Sequence, residues 1–277
     1  MTQSPFIVSS EHHVAHLRLD RPQASNAMNL AFWREFPEAV RRMDRSGTVR
    51  ALVISGAGKN FCTGMDVSVF TGGQTTSTET PSGREAFVRF AREVQDVISI
   101  LEIVRFPVIA AIQGACVGGG LELAAACDLR FAAENAYFRI EEINIGMMAD
   151  IGSLQRLPRM MPDAVVKEMA FMGSTLSAAR ALAVGFVNDV KATAEDALAA
   201  AMAAAQVIAS KAPLAIAGSK ESIRYARDNS VAAGLDRAAL LQAAIWNMND
   251  IGGAIRARQT KTAMEFAPLL PLKKFGE

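Results

Sequence analysis

The sequence predicts an α/β fold, in which a core of strands and helices is followed by a helical C-terminal extension. Up to residue 191, short apolar segments typical of buried strands alternate with segments of helical periodicity, and a strand–turn–helix unit recurs three times. From residue 192 the composition shifts to alanine-rich helical sequence with scattered lysine and arginine. We therefore expect an α/β core over residues 1–191 and a helical region over residues 192–277.

The first elements of the core are predicted from alternation and capping signals. Val14–Leu19 alternates apolar and polar residues, which is typical of a strand. After a turn, Asn29 is a suitable N-cap for a helix that runs to Met43. Val49–Ile54 then predicts a second strand, which ends in a glycine-rich turn.

The middle of the core begins with a polar segment, Gly72–Gly83, which is rich in Thr, Gly and Ser. Because this segment can bury little apolar area, we expect a mobile surface loop. A helix with one apolar stripe follows from Arg84, and Pro107 ends it. Val108–Ile112 predicts a third strand, the glycine triplet that follows begins another helix, and Leu129–Ala132 predicts one more strand.

Composition and charge limit the function classes. The formal net charge is +1, which argues against a dedicated nucleic-acid binder. The three cysteines are an odd number without metal-ligand spacing, and the N-terminus lacks the pattern of a secretory signal, so we expect a cytoplasmic protein. The apolar stretch Val108–Cys127 contains Gln113, Glu122 and four glycines, so it predicts a buried strand and helix and no membrane span.

Metal-dependent and nucleophilic chemistries lack their usual residues. His12 and His16 could share a metal only on a helix, and on an extended strand they cannot converge, so we expect no metal site. The sequence has no G-x-S-x-G elbow, no Walker-type loop and no G-x-G-x-x-G motif after a strand. Cys62 and Cys116 lie near glycine turns, where we interpret them as packing residues.

Carboxylates are the remaining candidates for proton transfer. Asp150 lies in an otherwise apolar or glycine run, Gly146–Gly152, where an idle buried charge would be costly. Glu122 follows the triplet Gly118-Gly119-Gly120 in the first turn of a helix, whose free N–H groups could hold a developing oxyanion. Glu142 is the second residue of an acidic pair at the start of a strand-like run.

Each of these features also has a purely structural interpretation. The glycine triplet alone could serve close packing, and the pair Glu141-Glu142 could be a solvated acidic pair. Asp150 could cap a helix that begins at Ile151, since aspartate is a common N-cap residue. That role is compatible with catalysis.

Two longer motifs resemble the signature regions of the enoyl-CoA hydratase/isomerase (crotonase) superfamily. They are Asn60–Asp66 (NFCTGMD) and Gln113–Leu123 (QGACVGGGLEL), and the resemblance covers nearly the whole chain. It implies a crotonase-like spiral of ββα units with a helical C-terminal region that builds trimers, or hexamers as dimers of trimers. It also implies an acyl-CoA thioester substrate and no cofactor, because coenzyme A is part of the substrate.

The resemblance also implies roles for individual residues. The backbone N–H groups of Met65 and Gly119 would form an oxyanion hole for the thioester oxygen. The turn that contains Ala24 and Ala27 would lie against the CoA moiety. The remaining substrate-binding residues implied by motif position are Thr63, Gly64, Asp66 and Gly118.

Within the superfamily, the run from Glu142 to Pro158 and the segment Tyr225–Val231 resemble the dienoyl-CoA isomerases. That subfamily shares the acidic residue at position 150, where hydratases normally carry glycine. One departure is Glu122, because the isomerases usually have aspartate there and the hydratases have glutamate.

The resemblance therefore predicts isomerisation of a 3,5-dienoyl-CoA to a 2,4-dienoyl-CoA in fatty acid β-oxidation. Asp150 would remove a proton from C2, Glu142 would protonate C6, and Glu122 would be an accessory carboxylate. One alternative is a 2-enoyl-CoA hydratase that uses Glu122 and Glu142. Another is a catalytically silent CoA-binding or RNA-associated homologue.

Overall fold

The structure, a computed structural model, describes residues 4–71 and 78–273. The strands in this part of the chain are β1 (Phe6–Glu11), β2 (Val14–Leu19), β3 (Ala51–Gly56), β4 (Val108–Ile112), β5 (Ala115–Val117), β6 (Leu129–Ala133), β7 (Tyr137–Arg139), β8 (Leu176–Ser177) and β9 (Asp189–Lys191). The α-helices are α1 (Leu30–Ser46), α2 (Val67–Thr71), α3 (Pro81–Ile103), α4 (Gly119–Ala126), α5 (Ser153–Arg156), α6 (Asp163–Met172), α7 (Ala178–Ala183), α8 (Ala194–Ala209), α9 (Pro213–Asp228), α10 (Val231–Ile245) and α11 (Met248–Thr260).

The strands form two sheets that turn as a spiral of strand and helix units. The larger sheet has the order β1-β2-β3-β4-β6-β9, and it is parallel except for the antiparallel edge strand β1. The smaller sheet has the order β5-β7-β8. Because β3 and β4 are parallel neighbours, the segments that follow them leave the sheet at the same end. Cys62 and Cys116, one in each of these segments, form a parallel bridge that joins the two turns of the future site.

Helix α1 shows how the local sequence determines an element. The Asn29 side chain accepts a hydrogen bond from the Phe32 N–H, as its N-cap position predicts. Phe32, Phe36 and Val40 are buried along one face of the helix. The helix runs three residues beyond the predicted end at Met43.

The helical region after residue 191 begins with α8, which packs against the larger sheet. Ala201, Ala205 and Ala209 are buried against Val53 and Ile109, and their small side chains let the helix approach the strands closely. The later helices leave several large apolar side chains exposed: Ile223, Val231, Leu235, Leu240, Trp246 and Ile255. An exposed apolar surface of this kind is typical of a surface that associates with another chain.

Three local predictions were wrong. The loop expected to end at Gly83 gives way to α3 at Pro81, because Thr80 caps the helix by accepting the Gly83 N–H; residues 72–77 of that prediction lie outside the described part of the chain. The run from Glu142 to Ile145 is a 3-10 helix and not a strand. Asp150 does not cap a helix at Ile151, because α5 begins only at Ser153 with Gly152 at its N-cap.

The apolar stretch at residues 108–127 forms β4, β5 and α4, all buried, as predicted. Among the described residues, no single helix combines the length and hydropathy needed to cross a membrane. Helices α8 and α9 reach that hydropathy only when taken together, and their axes are bent by 111°.

Candidate active site

One side of the candidate site is formed by the backbone around Met65, in the segment that follows β3. Backbone hydrogen bonds from Met28 N–H to the Gly64 carbonyl (2.8 Å) and from Asp66 N–H to the Met28 carbonyl (3.0 Å) hold this segment on both sides of Met65. The Met65 N–H itself donates to no other group within the described residues. It is therefore a free donor on a fixed backbone.

Another side of the candidate site is formed by the glycine turn between β5 and α4. Gly118 has a φ of +53° and Gly119 begins the helix, so the Gly119 N–H has no partner within its own helix. A β-carbon placed on Gly64 would lie 2.9 Å from the Gly119 nitrogen, and one placed on Gly119 would lie 3.5 Å from the Met65 nitrogen. The two predicted oxyanion-hole donors are thus adjacent, and glycine is needed at position 64 to let them approach.

Glu122 lies in the first turn of α4 and is completely buried. Its Oε1 accepts hydrogen bonds from the N–H groups of Ile151 (3.0 Å) and Ser153 (3.3 Å). Its Oε2 is buried and has no hydrogen-bond partner among the described residues. One oxygen of Glu122 therefore holds two backbone N–H groups, and the other makes no hydrogen bond to the described residues.

Glu142 begins the 3-10 helix after β7 and lies beside the glycine turn. A β-carbon on Gly118 would be 3.1 Å from Glu142 Oε1. Like Glu122, Glu142 has a buried Oε2 with no hydrogen-bond partner in the described part of the chain. Its neighbour Glu141 forms an ion pair with Arg139, so the two members of the acidic pair have different partners.

Asp150 is half-buried in an irregular segment between that 3-10 helix and α5. The side chain of Gln95, on α3, donates a 2.7 Å hydrogen bond to the Asp150 carbonyl. Asp150 also borders a cavity of about 430 Å³, whose other lining residues include Ser99, Glu102, Gln155 and Arg156. This cavity is lined mainly by polar and charged side chains.

The three carboxyl groups lie close enough to perturb one another. Burial raises the pKa of Glu122 to about 8, and the negative charges of Glu142 and Asp150 act in the same direction. Burial also raises the pKa of Glu142, as does the charge of Asp150. The pKa of Asp150 is raised by burial as well. The site therefore favours a mixture of protonated and ionised carboxyls near neutral pH.

The predicted CoA-binding turn is next to the oxyanion-hole backbone. Ser25 and Asn26 have left-handed backbone conformations with φ of 51° and 56°. The Ser25 carbonyl accepts from the Thr63 N–H at 3.2 Å, and the buried Asn26 side chain donates to the Ala57 carbonyl at 2.9 Å. These contacts place the Ala24–Ala27 turn against the segment that leads to Met65.

Asp66 has a clear structural use in addition to its predicted substrate contact. It forms an ion pair with Arg21 at 2.9 Å and accepts hydrogen bonds from the N–H and hydroxyl of Ser68. The hydrogen bonds from Ser68, with the hydrogen bond and charge of Arg21, outweigh the opposing effect of burial and lower the pKa of the Asp66 carboxyl.

The cysteines and histidines have structural roles. Cys62 Sγ donates to the Asn26 carbonyl, and burial raises the pKa of this thiol to about 12, so it stays protonated. His16 is hydrogen-bonded to the Ser55 hydroxyl at 2.8 Å. Within residues 4–71 and 78–273, no group of three or more His, Cys, Asp or Glu side chains has the geometry to hold a metal ion.

Sequence reasoning missed the residues that support Asp150. Gln95 contacts its carbonyl, and Arg156 donates to the carbonyl of the next residue, Ile151, at 3.0 Å. Arg156 falls within the isomerase-like run, but no sequence feature connects it with its partner Glu102 on α3. Only the packing of α3 against α4 and α5 reveals these contacts.

Comparisons with known proteins agree with this geometry. The profile of the family described as enoyl-CoA hydratase/isomerase matches residues 9–266. The mouse mitochondrial Delta(3,5)-Delta(2,4)-dienoyl-CoA isomerase is 39% identical over 95% of this chain and 80% of its own length. The peroxisomal Arabidopsis thaliana enzyme of the same name is 36% identical over 94% of this chain and 95% of its own. The crystal structure of an enoyl-CoA hydratase from Bacillus anthracis superposes with a TM-score of 0.86 at 28% identity, covering 95% of this chain and 98% of that one.

Proposed function

This chain belongs to the enoyl-CoA hydratase/isomerase family, and from that premise we propose that it isomerises a 3,5-dienoyl-CoA to a 2,4-dienoyl-CoA. The observation that carries the proposal is the Asp150 carboxyl, which shares one site with Glu142 and Glu122. Several relatives that carry the dienoyl-CoA isomerase name are 36–39% identical to this chain. The acyl-CoA would serve as the substrate, with no separate cofactor.

The proposed reaction begins at the thioester. The N–H groups of Met65 and Gly119 donate to the thioester oxygen, which gains negative charge as the Asp150 carboxylate removes a proton from C2. The electron pair of that C–H bond spreads over the conjugated chain from the thioester oxygen to C6. Glu142 then gives its proton to C6, which leaves double bonds at C2 and C4.

The ionisation states required by this mechanism suit the site. Asp150 must start ionised and Glu142 protonated. Burial raises the pKa of both carboxyls, and the charge of Asp150 raises that of Glu142 further, which favours the proton on Glu142. After one turnover Asp150 is protonated and Glu142 is ionised. Asp150 then loses its proton to solvent and Glu142 gains one from solvent, which restores the starting state. Glu122 acts as an accessory carboxyl, because one of its oxygens holds the backbone beside Asp150.

The alternative is hydration of a 2-enoyl-CoA by Glu122 and Glu142 acting on one water. The feature in its favour is that each of these residues keeps a buried Oε2 with no hydrogen-bond partner in the described chain. Against it, the other oxygen of Glu122 is committed to two backbone N–H groups. A third alternative, a CoA-binding or RNA-associated homologue without activity, leaves the three clustered carboxyls without a role.

Asp150→Asn, assayed on both substrates, separates these functions. We expect isomerisation to fall by about 10²-fold or more, since a positioned general base contributes on that order. Asp163→Asn, on the exposed start of α6, is the control and should keep the wild-type rate. Full isomerase activity in Asp150→Asn would refute the assignment, and a strong hydratase rate that survives the change would favour the alternative.

We also propose that the chain forms a trimer, or a dimer of trimers, through its C-terminal helices. The exposed apolar side chains of α9–α11 support this, because a surface of this kind is costly to leave in water. Sedimentation or light scattering at several concentrations would test it, and a monomer at all of them would refute it. A role in fatty acid β-oxidation and a cytoplasmic location both stay predictions.

A further inference from the structure

A network of ion pairs joins three helices next to the Asp150 segment. Glu102 on α3 accepts two hydrogen bonds at Oε2 from Arg156, from Nε at 3.1 Å and from Nη2 at 2.7 Å. Its Oε1 accepts a hydrogen bond from Arg227, near the end of α9. Glu102 thus stands between two arginines that are far from it in sequence, and it connects the C-terminal helical region to the active-site side of the core.

Arg156 transmits this connection to the backbone beside Asp150. Its Nη1 donates to the Ile151 carbonyl at 3.0 Å, and its Nη2 donates to the Ser99 hydroxyl at 2.9 Å. The Arg156 side chain is only 9% exposed. With both ends of the guanidinium engaged, Arg156 has little freedom to move independently of Glu102.

Gly152 leaves room for the Arg156 guanidinium next to the Ile151 carbonyl. It has a φ of +136°, and a β-carbon at this position would lie 1.6 Å from Arg156 Nη1. Any side chain at position 152 would be strained at this φ and would displace the guanidinium from its present place. The backbone around Asp150 and the Arg156 side chain are therefore fitted to each other.

The peptide groups next to the Asp150 side chain are held from several directions. Glu122 accepts the Ile151 N–H, Arg156 donates to the Ile151 carbonyl, and Gln95 donates to the Asp150 carbonyl. The segment has no regular secondary structure of its own, so these contacts are what determine its conformation.

The electrostatics of the network favour a charged Glu102. Burial alone would raise the pKa of Glu102, but the hydrogen bonds and positive charges of Arg156 and Arg227 outweigh it and hold the pKa below its ordinary value. Removing the Glu102 charge leaves the largely buried Arg156 without its carboxylate partner. The hydrogen bond from Arg156 to the Ile151 carbonyl is weakened as a result.

We infer that Glu102 is a positioning residue for Asp150: by clamping Arg156 and Arg227 it fixes the Ile151 carbonyl, and with it the direction of the Asp150 carboxylate. This inference rests on the proposed function, in which Asp150 is the group that removes the substrate proton. In this role Glu102 acts through Arg156, so its loss should affect the rate of the chemical step more than substrate binding.

The test compares Glu102→Gln, Gln95→Met and Glu168→Gln with the wild-type protein on a 3,5-dienoyl-CoA. Gln95→Met removes the other side-chain contact to the Asp150 backbone and leaves the ion pairs intact. Glu168→Gln is the matched control, because Glu168 also binds an arginine through both oxygens, Arg180, but on an exposed surface away from Asp150. Thermal unfolding of each protein, followed by circular dichroism, shows whether it is folded.

We expect kcat to fall by about ten-fold or more in Glu102→Gln and by a smaller factor in Gln95→Met, with KM changed by less than about three-fold, because misplacement of a reacting group slows the chemical step. Glu168→Gln should match the wild type. If Glu102→Gln does not fold, Arg227→Gln decides by the same criteria, because it removes one of the two arginines that hold the Glu102 carboxylate, at a partly exposed position.

Wild-type kcat in the folded variants, or a raised KM with unchanged kcat, would overturn the inference while the wild-type rate upholds the proposed function. Absence of isomerisation by the wild-type protein would instead overturn the proposed function and this inference with it.

Discussion

The Glu122 carboxyl group accepts a hydrogen bond from the Ile151 N–H at 3.0 Å, so the buried acid of α4 holds the backbone directly after Asp150. The two halves of the site, the glycine turn with its helix and the segment that carries Asp150, are joined at this contact. Glu122 thereby combines a structural role with a place among the three carboxyls. That combination explains how a glutamate can stand where the resemblance to isomerases leads one to expect aspartate.

Substitution of Glu122 should separate its two roles. Glu122→Gln keeps an oxygen that can accept the N–H groups of Ile151 and Ser153, so we expect near-normal stability and isomerase activity within about ten-fold of wild type. Glu122→Ala leaves those two N–H groups without their acceptor, which should lower the free energy of unfolding by about 2 kcal/mol or more. Urea denaturation and the isomerase assay measure the two effects. If Glu122→Gln lost isomerisation by as much as Asp150→Asn, Glu122 would be a direct participant and not an accessory group.

The raised pKa of Glu122 predicts a pH-dependent stability. Because the pKa is about 8 in the folded protein and 4.5 ordinarily, the folded state binds this proton more tightly than the unfolded state. The stabilisation of the folded state by the bound proton of Glu122 is therefore complete below about pH 4.5, and it is lost as the pH rises through about 8. Relative to Glu122→Gln, the wild-type free energy of unfolding should decrease between about pH 5 and about pH 8.

Chemical denaturation of both proteins across this range makes the comparison. Glu142 and Asp150 are present in both, so the change in the difference reports mainly on Glu122. A difference that stays constant with pH would show that burial does not shift the Glu122 carboxyl as described.

Gly64→Ala should damage the oxyanion hole specifically. The new methyl group would meet the Gly119 nitrogen at 2.9 Å, at a backbone φ of +91° that disfavours alanine. Since removal of one oxyanion donor costs on the order of 10²-fold in rate, we expect a loss of that size in kcat/KM. Gly185→Ala is the matched control, because its φ is +80° and no atom lies within 4 Å of the new methyl.

Both glycine variants should lose about 1–2 kcal/mol from the backbone strain alone, but only Gly64→Ala should lose activity. Stability is measured by thermal or urea unfolding, and activity by the isomerase assay. Equal activity losses in the two variants would attribute the effect to general destabilisation and would contradict the role of the Met65 and Gly119 amides.

The extent to which the sequence predicts this fold depends on how local the signals are. Helix α1 and strands β2 and β4 are predicted because capping and periodicity lie within a few residues. Strand β1 (Phe6–Glu11) is missed because, as an edge strand, it is mostly exposed and has no clear alternation of burial. The short strands β5, β7 and β8 are missed because two or three residues carry too little pattern.

The candidate site shows the same limit. Its carboxyls and glycine turns could be named from motif resemblance, since each motif is continuous in sequence. The conformation around Asp150 could not, because the acceptor of the Ile151 N–H is 29 residues away and Arg156 is bound by Glu102, 54 residues away. The prediction of an N-cap role for Asp150 was wrong because α5 begins only at Ser153, and Glu122 accepts the Ser153 N–H that such a cap would bind.

Wild-type rates on a 2-enoyl-CoA and a 3,5-dienoyl-CoA of the same acyl length distinguish an isomerase from a hydratase most directly. Conversion of the dienoyl substrate is followed by the ultraviolet absorbance of the conjugated 2,4-dienoyl product, and hydration by the loss of enoyl absorbance. We predict that kcat/KM for isomerisation exceeds that for hydration by about ten-fold or more, which corresponds to about 1.4 kcal/mol of additional transition-state stabilisation. Faster hydration than isomerisation would refute the isomerase assignment and make Glu122 and Glu142 the catalytic pair.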